Sequence, residues 1–281
     1  MADTIITKSN GDQEVFDDSK LIRSLKKAQA TESEIELVLN HVRSRLRNGM
    51  STTDIFALAH KTLLGYQKKN PNAIRYSLKQ SIMELGPSGF PFETFVARVF
   101  VEMGYTCQTG LMVQGHCIQH EVDILAHKGD EVICIEAKFH NEPYMKSDTK
   151  VALYVKARFD DLVGQQIKID GHTKHVSKGI LITNTNFTDT AHDYVGCIGT
   201  YDLISWNTPE DKSLLDHIEM YKLYPITVIP ELSKREVTAL LGQGVIVCAD
   251  LKKHKGVLDK IGIKPKRQHT IFETIDMICN C

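Results

Sequence analysis

Apolar residues recur at helical spacing four times within the first ninety positions. Leu21, Ile22 and Leu25 mark one face, and Ile35, Val38, Leu39, Val42 and Leu46 a second. Ile55, Ala59, Leu63 and Tyr66 follow a Ser51/Thr52 cap. Ile74, Leu78, Ile82 and Leu85 follow Asn70-Pro71, a pair suited to a helix N-terminus. Ahead of these helices, Ile5-Ile6-Thr7-Lys8 and Glu14-Val15-Phe16 flank Asn10-Gly11, which predicts a small β-hairpin. The breaker-rich run Leu85-Gly86-Pro87-Ser88-Gly89-Phe90-Pro91 then sets a boundary near residue 88.

Beyond that boundary the periodicity changes. Phe92, Phe95, Val96, Val99, Phe100 and Met103 predict one helix that closes at Gly104. Residues 105–108 read as a strand, and 111–117 as a loop or irregular edge. His120 to Leu125 and Val132 to Ala137 read as two strands joined by a turn. Residues 148 to about 169 carry Val151, Val155, Phe159, Leu162, Val163 and Ile167, which predicts one long helix. A buried strand at Lys178–Thr183, a helix through Ala191 and Tyr194, a strand over 200–206 and a helix over 211–223 follow. From Ile229 onward short helical segments alternate with glycine turns.

Composition narrows the setting. A chain of 281 residues holds about two domains, or one large domain with appendages. Its 42% hydrophobic and 25% charged residues are ordinary for a soluble globular protein. No apolar run approaches the roughly 18–20 residues of a membrane span. Met1-Ala2-Asp3-Thr4 does not begin a basic-then-apolar leader, so a cytoplasmic protein without membrane association is expected. The seven cysteines form no CxxC pair and read as reduced, mostly buried thiols. A net charge of −1 does not favour nucleic acid, so any such surface must be local.

Chemistry concentrates in one hairpin. Side chains two apart on a strand share a face, so Glu136 and Lys138 point the same way. With His127-Lys128-Gly129-Asp130 as the turn, Ala126 pairs with Glu131 and Asp123 with Cys134. Asp123 then lies diagonal to Glu136 on one face, at roughly 7–8 Å between backbones. Two carboxylates so placed can reach one divalent cation, and oxygen ligands suit Mg²⁺ or Mn²⁺. The adjacent lysine can hold a phosphate oxygen or the attacking water, which is the equipment of metal-assisted phosphodiester hydrolysis. Charges on an otherwise apolar strand need such a partner. Cys117 and His120 lack the second pair a zinc site requires, and neither a GxSxG elbow nor an HExxH run occurs.

Asp123, a spacer of twelve residues and Glu136-Ala137-Lys138 resemble the signature of PD-(D/E)xK nucleases, in their Mrr-like restriction endonuclease branch. The resemblance covers about residues 92–207. It implies an α/β fold with an αβββαβ mixed-sheet core, DNA as substrate, and Asp123, Glu136 and Lys138 as catalytic residues. It also implies that Glu93 is a third metal carboxylate; read from the residues alone, Glu93 is equally a favourable charge at a helix N-terminus. Lys156, Arg158, Gln165 and Gln166 are candidates for DNA or the metal shell, or else a solvated helix face.

Ile6-Thr7-Lys8-Ser9-Asn10-Gly11, Phe16-Asp17, Lys20-Leu21, Thr52-Thr53-Asp54-Ile55 and Ala73-Ile74-Arg75-Tyr76 resemble the ATP-cone, a nucleotide-binding regulatory module. That likeness implies a hairpin plus four helices that bind ATP or dATP, with Lys8 and Lys20 on the phosphates and Ile6 and Thr52 near the base. Ser9 departs from the family, which usually has arginine there; a structural cone without ligand is the other reading.

The tail weakly resembles a helix-hairpin-helix unit. Between Leu251 and Gln268 it carries seven Lys or Arg against one Asp, with Lys252 and Lys253 as candidates for nucleic-acid phosphates. A helical appendage packing on the core is the alternative. The expected organisation is therefore an ATP-cone over 1–88, a nuclease domain over 89–224 and a basic helical appendage over 225–281. The expected function is a Mg²⁺-dependent DNA endonuclease controlled by adenine nucleotide, in restriction or host defence, acting as a homo-oligomer. A nucleotide-sensing DNA-binding regulator with a silent nuclease fold, or an RNA-directed nuclease, are the alternatives.

Overall fold

Hydrophobic faces and caps define the N-terminal elements. The computed structural model describes residues 4–8, 11–66, 70–86, 88–169, 171–254 and 256–279. Ser9, Asn10, Pro87 and Met1-Ala2-Asp3, which entered the reading above, lie outside the described residues. Two compact units emerge, Met1–Gln80 with His269–Cys281, and Ser81–Gln268.

In the first unit, β1 (Ile5–Thr7) and β2 (Gln13–Val15) pair antiparallel, with Ile6 opposite Glu14. Helices α1 (Asp18–Lys27), α2 (Glu32–Arg45), α3 (Thr52–Tyr66) and α4 (Pro71–Tyr76) follow. Each start is capped by a side chain: Asp17 for α1, Thr31 in a reciprocal pair with Glu34 for α2, Ser51 with Asp54 for α3, and Asn70 for α4. Leu21, Leu25, Ile35, Val38, Val42, Ile55, Ala59 and Leu63 close over Ile6 in one core. Buried Glu34 ties the helices together, accepting from Asn70 at 2.5 Å and Asn72 at 2.9 Å. The fourth expected helix is broken. Ser77 ends α4 by donating its N–H and its Oγ–H to the carbonyl of Ile74, and the chain resumes as α5 (Leu78–Met83).

The second unit is built on a mixed five-stranded sheet. Its elements begin with α6 (Phe90–Glu102), β3 (Thr106–Gln114), β4 (Gln119–Lys128), β5 (Glu131–Lys138), β6 (Lys146–Ser147) and α7 (Thr149–Leu162). They continue with β7 (Gln166–Ile169), β8 (His172–His175), β9 (Lys178–Thr183), β10 (Asn186–Phe187), α8 (Asp189–Ile198), β11 (Tyr201–Ile204) and α9 (Leu214–Tyr221). The sheet order is β11-β9-β5-β4-β3; β5, β9 and β11 run parallel, and β3 and β4 antiparallel. Residues 132–135 of β5 and 180–182 of β9 are continuous apolar runs because both faces are covered there. Leu125, Cys134 and Leu181 meet Ala152, Val155 and Phe159 of α7 and Ala191 and Val195 of α8. Helices α10 (Lys234–Leu241), α11 (Cys248–Lys253), α12 (Gly256–Lys260) and α13 (Pro265–Cys279) complete the chain, with glycine turns at Gly244 and Gly262.

Four expectations are corrected. The β4–β5 turn is two residues, not four: Lys128 pairs with Glu131 and Ala126 with Ile133, and Gly129 takes the positive φ of 57° that so tight a turn needs. The edge at 111–117 is strand as far as Gln114; Gly110, at φ 63°, drops out of the pairing opposite Asp123 but leaves the register with β4 intact on either side. The long helix ends at Leu162, because Gly164 at φ 84° turns the chain, and Gln166–Ile169 pairs with His172–His175 instead. The cysteines are not mostly buried. Of the six described, all free, only Cys134 and Cys248 are. Among the described residues no helix is long and apolar enough to cross a membrane.

A Cβ built on Gly179 of β9 would overlap the buried ring of Phe159. Gly179→Ala should therefore destabilise the chain by about 1–3 kcal/mol in urea unfolding. Combining it with Phe159→Leu, which trims that ring, should lose less than the sum of the two single changes.

Candidate functional site

The site forms where two paired strands part. β4 and β5 pair as far as Ile124 with Ile135; beyond that, β4 continues against β3 while β5 continues against β9 to Lys138. Asp123 stands at the fork. Its Oδ2 accepts the main-chain N–H of Ala137 at 2.8 Å, so a side chain takes over where the ladder stops. Carrying the register one step further sets Asp123 opposite Glu136, directly rather than diagonally. Because the turn differs from expectation by an even number of residues, the shared face survives.

Burial and mutual repulsion make these carboxylates poor anions. Burial raises the pKa of Asp123 against the Ala137 N–H and the charge of Arg158. Glu136 is pushed up to about 7, chiefly by burial and next by the charge of Asp123. Glu93, in the first turn of α6, is raised by burial and then by the charges of Asp123 and Glu121, which places it in the same field. Lys138, exposed at the end of β5, draws both Asp123 and Glu136 toward their charged forms.

Arg158 of α7 supplies the nearest countercharge. Its Nη1 donates to Glu136 Oε2 at 2.7 Å, its Nη2 donates to the carbonyl of Glu121, and the guanidinium lies 5.7 Å from the Tyr154 ring centroid. The other candidates go elsewhere. Lys156 pairs with Asp160 at 2.6 Å, one turn along the helix. Gln165 lies in the turn after α7 and Gln166 opens β7, so neither is on the helix that carries Arg158. Lys252 and Lys253 form the last turn of α11.

Sequence reasoning passed over Glu121 and Tyr154. Alternation could have found Glu121, two residues before Asp123, and the four-residue spacing to Arg158 could have found Tyr154. Cys117 and His120 prove to be organised by a carboxylate: Asp161 accepts from the Cys117 N–H at 2.7 Å, the Ile118 N–H at 3.2 Å, and stands 2.8 Å from His120 Nε2.

Among the described residues no three His, Cys, Asp or Glu side chains converge on one point. The seat is a pair, Asp123 and Glu136, with Glu93 close by in charge. A pair of hard oxygen donors fits Mg²⁺ or Mn²⁺, which retain waters and share a substrate phosphate, and two carboxylates raised by burial are a charge imbalance that such a cation relieves.

The first unit has its own cluster. Lys8 Nζ and Lys20 Nζ converge on Glu14 Oε2 at 2.9 and 2.7 Å, one from the hairpin and one from α1. Ile6 is buried beneath the hairpin, and Thr52 opens α3 beside Ser51, which bridges Thr7. Glu14 had been read only as a strand residue.

Comparison with known proteins divides the chain in three. A family model described as ATP cone domain matches residues 4–80, one described as restriction endonuclease matches 86–208, and one described as AF1548-like, C-terminal matches 224–279. An uncharacterized protein of Archaeoglobus fulgidus is 32% identical over 179 residues, 63% of this chain and 95% of that protein. The crystal structure of AF1548, a protein of unknown function, is 30% identical with a TM-score of 0.55, covering 69% of this chain and 100% of that one. The restriction endonuclease MspJI, in complex with a 27-mer oligonucleotide, is 16% identical over 71% of this chain and 40% of that one; its TM-score of 0.36 is too low to define a common fold.

Glu136 yields a pH prediction. A carboxyl with a raised folded pKa holds its proton more tightly in the folded chain. Its stabilising contribution is complete below the unfolded value of about 4.3 and is lost as pH rises through about 7. Glu136→Gln removes that loss. In a chelator, urea unfolding near pH 8 should find the variant more stable than wild type by up to about 3 kcal/mol, with the difference gone near pH 4. A variant no more stable at the higher pH would mean that Arg158 fully satisfies the carboxylate.

Proposed function

The chain belongs to the AF1548-like family and joins an ATP cone to an Mrr-type restriction endonuclease domain, and from that premise we propose that it is a Mg²⁺-dependent DNA endonuclease governed by adenine nucleotide. The observation that carries this reading is the half-buried pair Asp123 and Glu136 at the parting of β4 and β5, with Lys138 beside it. In it, Asp123 and Glu136 would hold Mg²⁺ or Mn²⁺, and Glu93, a third carboxylate in the same field, would add negative charge beside them. When bound, the cation stabilises the charge that builds on the scissile phosphate. Lys138 orients the attacking water, whose oxygen bonds to phosphorus in line as the bond to the leaving oxygen breaks; the proton that the water sheds passes to solvent, and the leaving oxygen takes one up from solvent. Arg158 opposes the protonation of Glu136 and holds its Oε2 in place.

The cone is the switch. Lys8 and Lys20 meet at one carboxylate oxygen, and a nucleotide phosphate from ATP or dATP takes the place of Glu14 between them. Restriction or host defence is the setting such a pairing fits. One observation favours a second reading: the Arg158–Glu136 ion pair neutralises half of the metal seat, as a silent, nucleotide-sensing DNA-binding regulator would tolerate.

Plasmid DNA decides between them. With Mg²⁺ the wild-type chain should nick or linearise it, and Asp123→Ala or Lys138→Ala should slow cutting on the order of 10²–10⁴-fold while leaving the circular dichroism spectrum unchanged. Equal cutting by those variants would end the mechanism, and no cutting by wild type, with or without ATP, would leave the regulator.

For the cone, calorimetric titration with ATP and dATP should show binding weakened about 10–100-fold in Lys8→Ala, the worth of one charge-assisted hydrogen bond. Glu14→Gln, which releases both lysines, should bind more tightly than wild type. Weaker binding in Glu14→Gln would show that Glu14 orders the lysines rather than occupying their place.

A further inference from the structure

We infer that the second unit carries a separate phosphate site, a cavity of about 660 Å³ that grips the DNA backbone beside the point of cleavage. This rests on the nuclease reading above. Arg98 of α6 lines the cavity together with Lys253, His254 and Lys260 of the tail, and none of the carboxylates of the cleavage site is among its walls. Arg98 Nε is buried and, in this structure, donates to nothing, while its Nη2 reaches Glu102 at 3.1 Å. A guanidinium donor left unmatched is unfavourable unless an acceptor arrives, and the oxygens of a phosphate are the matching acceptors.

The charge balance favours an anion. Arg98, Lys253 and Lys260 face one acidic wall residue, Asp250, which stands 4.0 Å from Arg98 and already accepts the Val247 N–H at the start of α11. Lys253 and Lys260 are exposed and form no ion pair among the described residues. No Phe, Tyr or Trp lines the cavity, so it offers no platform for a base. Lysines at the cavity's wall, without a base platform, suit a polyanion gripped by its phosphates without regard to sequence.

Helix α6 links this cavity to the chemistry. Glu93 in its first turn lies in the field of Asp123, and Arg98 comes roughly 7.5 Å further along the axis. Five residues also turn Arg98 about 140° around the axis from Glu93. A strand with a phosphate at Asp123 and Glu136 would have to pass around α6 to set a later phosphate at Arg98. The C-terminal segment, in this view, contributes grip and register to the nuclease.

The test measures binding of the full chain, in a chelator, to a fluorescein-labelled duplex of about 20 base pairs by anisotropy across potassium chloride concentrations. Lys253→Gln/Lys260→Gln should lower the slope of log affinity against log salt by about 2, so that it loses about tenfold less affinity than wild type between about 50 and 200 mM. Arg98→Gln should lower the slope by about 1. An unchanged slope with intact binding sinks this site and leaves the nuclease reading standing. No duplex binding by wild type sinks both. Calorimetry with adenosine monophosphate covers the other source of phosphate: binding lost in the double variant while the duplex slope stays unchanged would make this a free-nucleotide pocket and overturn the proposal.

Discussion

The bond from the Ala137 N–H to Asp123 Oδ2 is the constraint from which the candidate site follows. An antiparallel ladder left to itself would continue, with main chain pairing main chain and side chains alternating outward. Here β4 and β5 separate after Ile124 and Ile135, and the freed donor of Ala137 needs an acceptor in a half-buried place. Asp123 provides it, at the price of fixing a carboxylate opposite Glu136. The parted strands thus create both the fork and the charge within it. Removing that side chain would leave an unmatched N–H in the wall as well as an absent oxygen in the site.

A carboxylate pair so placed is tolerable only with compensation. Burial opposes both charges, the charge of Asp123 further opposes that of Glu136, and the charge of Glu121 opposes that of Asp123. Arg158 answers this from α7, a helix packed on the sheet through Ala152, Val155 and Phe159. The apolar face of α7 positions its polar edge, so the packing that makes the sheet stable also sets the guanidinium at Glu136. Glu121 contributes its carbonyl to the same guanidinium, which ties β4, β5 and α7 together around one cation.

Periodicity made the helices and the buried strands legible. Ile35, Val38 and Val42, or Val132 to Ile135, must face a core whatever surrounds them, and they do. Face-sharing by Asp123 and Glu136 was legible for the same reason, since it depends only on parity. Register was not, because a two-residue and a four-residue turn around Gly129 preserve the same parity and differ only in the φ that glycine adopts. The β7–β8 hairpin hid for another reason: His172, Thr173, Lys174 and His175 carry no apolar alternation, while Ile167 matched the helical spacing before it. The partners of Arg158 and Lys156, two residues apart on one helix, could not be told apart without knowing which edge of α7 faces the fork.

Both ionic clusters are balanced internally, but at different depths, and depth decides how each can respond. At the hairpin, Lys8 and Lys20 are about half exposed, so their pairing with Glu14 is screened by solvent. On the proposed function, a phosphate carrying more charge than one carboxylate would displace Glu14 with little penalty. At the fork, Arg158 and Glu136 are 15% and 20% exposed, and separating them leaves one charge partly desolvated. On the function proposed above, a divalent cation seated on both carboxylates would recover what the separation loses. The outer cluster would then exchange its carboxylate for a phosphate readily, while the inner one would stay closed until metal and phosphate arrive together.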